Sequence, residues 1–207
     1  MELLKKLQKK LEEPLPGATS HEKMAVKGRN PRFFNKKPAK GSVLIILFPE
    51  KKDLSVILIK RADYSGPHSN QVSFPGGKME EKDKEPVHTA LREAYEETGI
   101  PHQKIEVLGR LTPLYIPVSN FTVNPFVGFV DHKPAFSPDP REVQYIITVS
   151  LSELLKEETV CKNKIELPGL KTDAPGYKIK REHVWGATAM IMAEFLDVIG
   201  SIPDFSS

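Results

Sequence analysis

The chain has one cysteine, Cys161, so no intrachain disulfide can form, and a reducing compartment such as the cytoplasm is expected. Long hydrophobic runs are missing too. The longest purely apolar stretch, Val43 to Phe48, falls far short of the roughly 20 residues that a membrane-spanning helix needs. The N-terminus, MELLKKLQKKLEE, has no apolar stretch leading to a small-residue cleavage site, so no signal peptide is expected. Neither sign of charge dominates: 30 basic and 27 acidic residues leave a formal charge of +3. So small an excess does not predict binding to nucleic acid, but it tolerates an anionic small molecule. Repeats and low-complexity stretches are also lacking. What remains, 207 residues with 39% hydrophobic and 28% charged side chains, is the composition of one ordinary globular domain.

Leu3, Leu4, Leu7 and Leu11 recur at helical spacing, which predicts a short amphipathic helix ended by Pro14, Pro16 and Gly17. Its leucine stripe is expected to pack on the domain or on a second subunit, so a homodimer is a reasonable expectation. A membrane-surface role fits less well, because the polar face mixes both charge signs and has no aromatic anchors. The helix and a Pro-, Asn- and Lys-rich connection occupy residues 1–36, the main domain 37–200, and a tail 201–207. SVLIILF (Ser42 to Phe48) and LSVILIKR (Leu54 to Arg61) read as a hairpin whose two faces are both covered. A helix is expected from Pro86 to the glycine stop at Gly99. VLGRLTPLY, TVNPFVGFV and VQYIITVS read as further strands, Ser152 to Glu158 as a short helix, and Thr188 to Ile199 as a closing helix. Strands and helices mix without strict alternation, which predicts an α+β fold, an α/β/α sandwich around a mixed sheet.

The chemistry concentrates in GKMEEKDKEPVHTALREAYEETGI, Gly77 to Ile100. At about 100° per residue, Glu96 and Glu97 flank Glu93 one turn along, with Thr89 on the same side. Val87, Leu91, Ala94 and Thr98 fall opposite. Three carboxylates that close repel one another, and a hard divalent cation would relieve the repulsion. Arg92 is placed to pair with Glu96 or Asp83. An acidic pair on a helix is usually a solvated face. Here, however, a Pro-Gly-Gly turn precedes the acids and an apolar back fixes the helix, both of which favour a ligand site.

The segment resembles the Nudix box, G-x5-E-x7-R-E-U-x-E-E-x-G-U, where U is a bulky apolar residue. Gly77, Arg92, Glu93, Glu96, Glu97, Gly99 and Ile100 fit it. It departs in having Asp83 for the first glutamate, one extra residue before Arg92, and the small Ala94 at a U position. The resemblance implies a Nudix sandwich that hydrolyses a nucleoside diphosphate linked to another group, with Mg²⁺ or Mn²⁺. It assigns metal binding to Glu93 and Glu97, with Gly77 beside them and Glu96 as a further ligand or the base, and it makes Arg92 part of the catalytic set.

Upstream, LIKRADYSGPHSNQVSFPGG is similar to the signature of coenzyme A pyrophosphatases in Arg61, Ala62, Phe74, Pro75, Gly76 and Gly77. Gly66 stands where that signature has an arginine, and Asn70 where it has a glycine. The implied reaction splits coenzyme A, or an acyl derivative, into 3′,5′-ADP and 4′-phosphopantetheine. Arg61, His68 and Phe74 are the expected substrate contacts, and Lys60 and Lys78 read as solvated surface charges. Glu142, after the loop FSPDPREV, is placed to reach the metal or act as base, although an ordinary loop carboxylate is an equal reading. Trp185 reads as packing and Cys161 as a bystander. ADP-ribose and dinucleotides are the rival substrates. A non-cleaving nucleotide sensor would be expected to lack one of the helix glutamates, and an isomerase would be expected to place a cysteine in a core strand.

Overall fold

A computed structural model of the chain describes residues 2–27, 36–63, 69–167 and 170–203. His68 and Gly66 lie outside the described residues. In chain order the elements begin with α1 (Glu2–Glu12) and α2 (Ala18–Lys23). Strands β1 (Ala39–Glu50), β2 (Asp53–Arg61), β3 (Val72–Ser73) and β4 (Gly76–Lys78) follow, then helix α3 (Pro86–Thr98). Next come β5 (Glu106–Arg110), β6 (Leu114–Ile116), β7 (Phe121–Phe129), β8 (Val143–Ser150) and the short helix α4 (Leu151–Leu154). The chain closes with β9 (Val160–Leu167), β10 (Leu170–Ile179), β11 (Glu182–Trp185) and α5 (Gly186–Gly200). The α+β expectation holds. β1 runs parallel to β7 and antiparallel to β2, so the main sheet is mixed, while β9, β10 and β11 form a second, antiparallel sheet.

The two apolar runs that predict β1 and β2 pair only at one end, from Leu47↔Val56 to Glu50↔Asp53. Beyond that they part, and residues 72–78 fill the gap, β3 pairing with β2 and β4 with β1. This wedge carries the Pro-Gly-Gly turn beneath α3. Leu44, Ile46, Phe48 and Ile57 meet Ala90 and Ala94 of α3 on one face of the sheet. The opposite face, with Ile45, Leu47, Val56 and Leu58, packs toward α1, α5 and the second sheet. Both strands are therefore covered on both sides, as their unbroken apolar character requires.

Leu7 and Leu11 of α1 are buried in the chain's own core, with Leu3 and Leu4 partly buried against it, so the stripe packs on the domain, the first of the two packings expected for it. The α1–α2 segment is locked on by Glu194, a fully buried carboxylate on α5. It accepts hydrogen bonds from the Gly17 amide at 3.1 Å, the Thr112 amide at 3.2 Å and His21 Nε2 at 3.0 Å. Burial alone would push this carboxyl up, but its partners His21 and Thr112 hold it below the usual carboxylate range. Ser20 and Lys23 of α2 also bind Asp197 of α5. Glu194→Ala strands two buried donors, the Gly17 amide and His21, and the half-buried Thr112 amide, so it is expected to cost about 3–5 kcal/mol in urea unfolding. A loss below about 1 kcal/mol would contradict this account of the lock.

Two elements differ from expectation. VLGRLTPLY breaks into β5 and β6, because Pro113 has no N–H to donate and the Thr112 amide turns to Glu194 instead of a strand. The helix expected over Ser152 to Glu158 is shorter: α4 ends at Leu154, and a single 3-10 turn follows at Glu157–Thr159.

Candidate active site

Helix α3 is bounded by local chemistry. Pro86 occupies its first turn, where no amide donor is needed, and the Glu85 amide bonds His88 Nδ1 at 3.3 Å. Gly99 closes it at φ 77°, a left-handed conformation that a side chain disfavours, and returns its N–H to Tyr95 O at 2.8 Å. The buried stripe is rotated from the simple helical wheel. Thr89 and Glu97, placed with the acids by spacing, are buried alongside Ala90, Ala94 and Thr98, because β4 lies against that side, its Gly76 amide bonding Glu97, and the loop after it covers Thr89 through Asp83. Glu97 is only 1% exposed.

Each helix carboxylate has a definite partner. Glu97 accepts from the Gly76 amide at 2.7 Å and from Arg61 Nη1 at 3.0 Å. Glu93 and Glu96 each accept from Arg92 Nη1 at 2.9 Å. Arg92 also binds Asp83 through Nε and Nη2 and donates to the Lys78 carbonyl, so one guanidinium ties the helix to the loop before it. Asp83 accepts from Thr89 and from the Glu80 amide as well. Arg92 chiefly holds the Asp83 carboxyl well below the usual carboxylate range. Asp83's contribution to stability is therefore present above the ordinary aspartate pKa and lost only in strong acid.

Burial pushes both Glu93 and Glu97 up, Glu97 to about 7, and the charge of Glu142 adds to the push on each. Glu142 lies on an exposed loop tied to the end of β2, next to Arg61, by the Ala62 amide at 2.8 Å from the Glu142 carbonyl. Gly77 lies directly against Glu93: a Cβ there would sit 2.4 Å from its carboxylate. The structure therefore brings Arg61, Gly77, Arg92, Glu93, Glu96 and Glu97 into one site, with the loop of Glu142 joined to the strand end that carries Arg61.

Phe74 does not join them. It is 1% exposed within the core and has no surface left for a substrate, which corrects its assignment as a contact. Lys60 is likewise no solvated charge: it pairs with Glu182 at 2.7 Å, and Glu182 also accepts from Tyr145 Oη at 2.6 Å. Lys78 is exposed, as expected.

Residues 38–167 match the family described as NUDIX domain. Nudix hydrolase NudL of Photorhabdus laumondii is 37% identical over 138 residues, covering 67% of this chain and 73% of that protein. The chain belongs to the Nudix hydrolase family. A mitochondrial relative from Arabidopsis thaliana, Nudix hydrolase 15, is 35% identical over 83% of the chain, and the chain spans 61% of its length. Among solved structures, a MutT/nudix family protein from Enterococcus faecalis aligns with TM-score 0.55 at 18% identity, over 91% of this chain and 76% of that one, and shares the fold.

Nudix hydrolases need a divalent metal ion, and the donor set fits one. Glu93, half-buried, and Glu97, buried, are hard oxygen donors, each made harder to ionise first by burial and then by its neighbours' negative charge. Gly77 leaves the space beside Glu93 that a side chain would fill. Among the described residues no three acidic, His or Cys side chains converge as a ready metal cage. The glutamates are turned instead toward Arg61 and Arg92.

A pH dependence follows for this Nudix hydrolase. The folded chain holds the Glu97 proton more tightly than the unfolded chain does. Metal-free stability from this group is therefore greatest below about pH 4.5 and is lost as pH rises to about 7. A cation at Glu97 must displace that proton. Its Kd should rise about tenfold per pH unit below 7, as Mn²⁺ binding followed by electron paramagnetic resonance would show. A Kd unchanged between pH 5.5 and 7.5 would contradict this.

Proposed function

We propose that this chain hydrolyses the diphosphate bond of coenzyme A or an acyl-coenzyme A, with Mg²⁺ or Mn²⁺, giving 3′,5′-ADP and 4′-phosphopantetheine. The observation that carries the reading is the pair of glutamates, the half-buried Glu93 and the buried Glu97, set under a glycine turn and opposed by Arg61 and Arg92. A divalent cation bound by Glu93 and Glu97 would neutralise the diphosphate oxygens and orient a water.

The chain's own residues do the rest. Glu96 has a side chain 44% exposed, so it reaches solvent and can take the proton of the attacking water. The water oxygen joins phosphorus as the bond from phosphorus to the bridging oxygen breaks, and the leaving phosphate departs with that oxygen. Arg92 holds Glu93 and Glu96 in register along the helix, which keeps the carboxylate geometry fixed. Glu142 faces the site as a second acid.

Support for the coenzyme A substrate comes from Arg61, Ala62 and the Phe-Pro-Gly-Gly turn. Of these, Phe74 serves packing. Gly66 and Asn70 depart from the subgroup signature, and the cation lost at Gly66 favours, as a second reading, a nucleoside diphosphate derivative lacking the 3′-phosphate, such as ADP-ribose. The test is a panel of coenzyme A, acyl-coenzyme A, ADP-ribose, NADH and a diadenosine polyphosphate with each metal, products being followed by chromatography. 3′,5′-ADP released from coenzyme A faster than any other product supports the first reading. Inert coenzyme A beside cleaved ADP-ribose selects the second.

A further inference from the structure

Ser42 of β1 is buried without a partner. It is 1% exposed, and among the described residues its Oγ meets no hydrogen-bonding group. Two other buried serines are each paired to a carboxylate. Ser55 Oγ donates to Glu50 at 3.0 Å, and Ser20 Oγ donates to Asp197. A hydroxyl taken out of water without a new partner costs folding free energy, so its presence at this position calls for another reason.

The place of Ser42 in the sheet supplies one. Side chains alternate along a strand, and Leu44, Ile46 and Phe48 of β1 pack with Ala90 and Ala94 of α3, so Ser42 shares the face that α3 covers. Its cross-strand neighbours are Gly77 on β4 and Asn124 on β7. Asn124 donates its Nδ2 to the Gly41 carbonyl at 3.0 Å. Directly opposed side chains on paired strands have Cβ atoms about 5 Å apart. At Gly77 that place holds no side chain, and the Glu93 carboxylate lies 2.4 Å from where its Cβ would be. The Ser42 hydroxyl and the Glu93 carboxylate therefore border one small space, the first from the sheet and the second from the helix.

Their bonding capacities are complementary. Glu93 Oε1 accepts from Arg92 Nη1 at 2.9 Å, while Oε2 accepts from none of the described residues. A carboxylate oxygen has two lone pairs, so one oxygen can hold a cation and still accept from a hydroxyl. Groups that hydrogen-bond to a metal's ligands fix the ligands' orientation, and losing one typically weakens metal binding by roughly 10–100-fold.

We propose that Ser42 is a positioning residue for Glu93, its hydroxyl donating to the Glu93 carboxylate when that carboxylate holds a divalent cation. This rests on the metal-dependent reading of the site given above. The hydroxyl then lowers the stability of the metal-free protein and raises the metal affinity of the site.

The test compares wild type, Ser42→Ala and Ser55→Ala by thermal unfolding in EDTA and by Mn²⁺ binding followed with electron paramagnetic resonance. Ser55→Ala removes a hydroxyl already bonded in the metal-free protein, so it should lower Tm and leave the Mn²⁺ Kd unchanged. Ser42→Ala should leave Tm in EDTA unchanged or raised, and it should raise the Mn²⁺ Kd about tenfold. An unchanged Mn²⁺ Kd in Ser42→Ala overturns the proposal whatever its Tm. A Tm loss in EDTA as large as that of Ser55→Ala also overturns it, since Ser42 would then be a structural hydroxyl. Should Ser42→Ala not fold, Ser42→Cys, whose thiol is a weak donor, decides on the same criteria. If Mn²⁺ does not bind wild type at all, the metal reading fails first and this inference with it. If it binds wild type and Ser42→Ala equally, only the inference fails.

Discussion

Glu97→Gln abolishes turnover, by a factor of about 10³ or more, while the protein stays folded. Glutamine matches the shape of glutamate and keeps a carbonyl to accept the Gly76 amide, which lies 2.7 Å from the native carboxylate. What it removes is the charge, and with it a donor to the metal. Without metal at neutral pH the stability cost should stay at about 1 kcal/mol: burial already holds the native carboxyl up to about 7, so loss of its charge costs little, but the amide NH2 replaces the oxygen that accepts from Arg61 Nη1 at 3.0 Å. Circular dichroism and urea unfolding check the fold, and steady-state kinetics check the loss. Activity within tenfold of wild type would remove Glu97 from the metal site.

Gly77→Ala is the second large effect, and it separates activity from stability in another way. The new Cβ would lie 2.4 Å from Cδ and Oε2 of Glu93 and 2.5 Å from Oε1, far inside contact distance. The obstructed group is the far end of a flexible side chain, so the carboxylate moves and the strand stays. A displacement of about 1 Å at a reacting geometry is worth roughly 100-fold in rate. The stability cost should stay near 1 kcal/mol, within the ordinary range for single substitutions. A fall in kcat/KM of that size with a near-native unfolding midpoint bears out the close approach of turn and helix. Full activity would show that Glu93 does not need its native position.

Much of this was legible in the sequence. β1 and β2 are written as apolar runs, because strands covered on both faces need no polar alternation. α3 is written by Pro86 and Gly99 at its ends. The acidic cluster was legible because so many fixed spacings coincide in one segment. The β9–β10–β11 sheet was not. CKNKIEL alternates only weakly, with Lys162, Lys164 and Glu166 on one face but a polar Asn163 on the other, and Pro175 and Gly176 interrupt β10, so neither period nor propensity announces a strand clearly. Glu182 could therefore not be foreseen as the partner that removes Lys60 from solvent. The burial of Glu97 was hidden for a related reason. A helical wheel gives the angle between side chains, but the wedge of β3 and β4 that covers one side of α3 is a tertiary feature. Phe74 shows the limit of a signature: matching residues in a turn does not say which of them face a ligand. The packing partner of α1 was equally invisible, since a leucine stripe reads the same against its own domain as against a second copy.

The most direct test of the metal-centred account is a crystal of the protein soaked in Mn²⁺ and measured at the manganese absorption edge. The account predicts an anomalous peak between the Glu93 and Glu97 carboxylates beside Gly77. A protein saturated with Mn²⁺ that shows no peak there, or shows one only at other carboxylates, would contradict it.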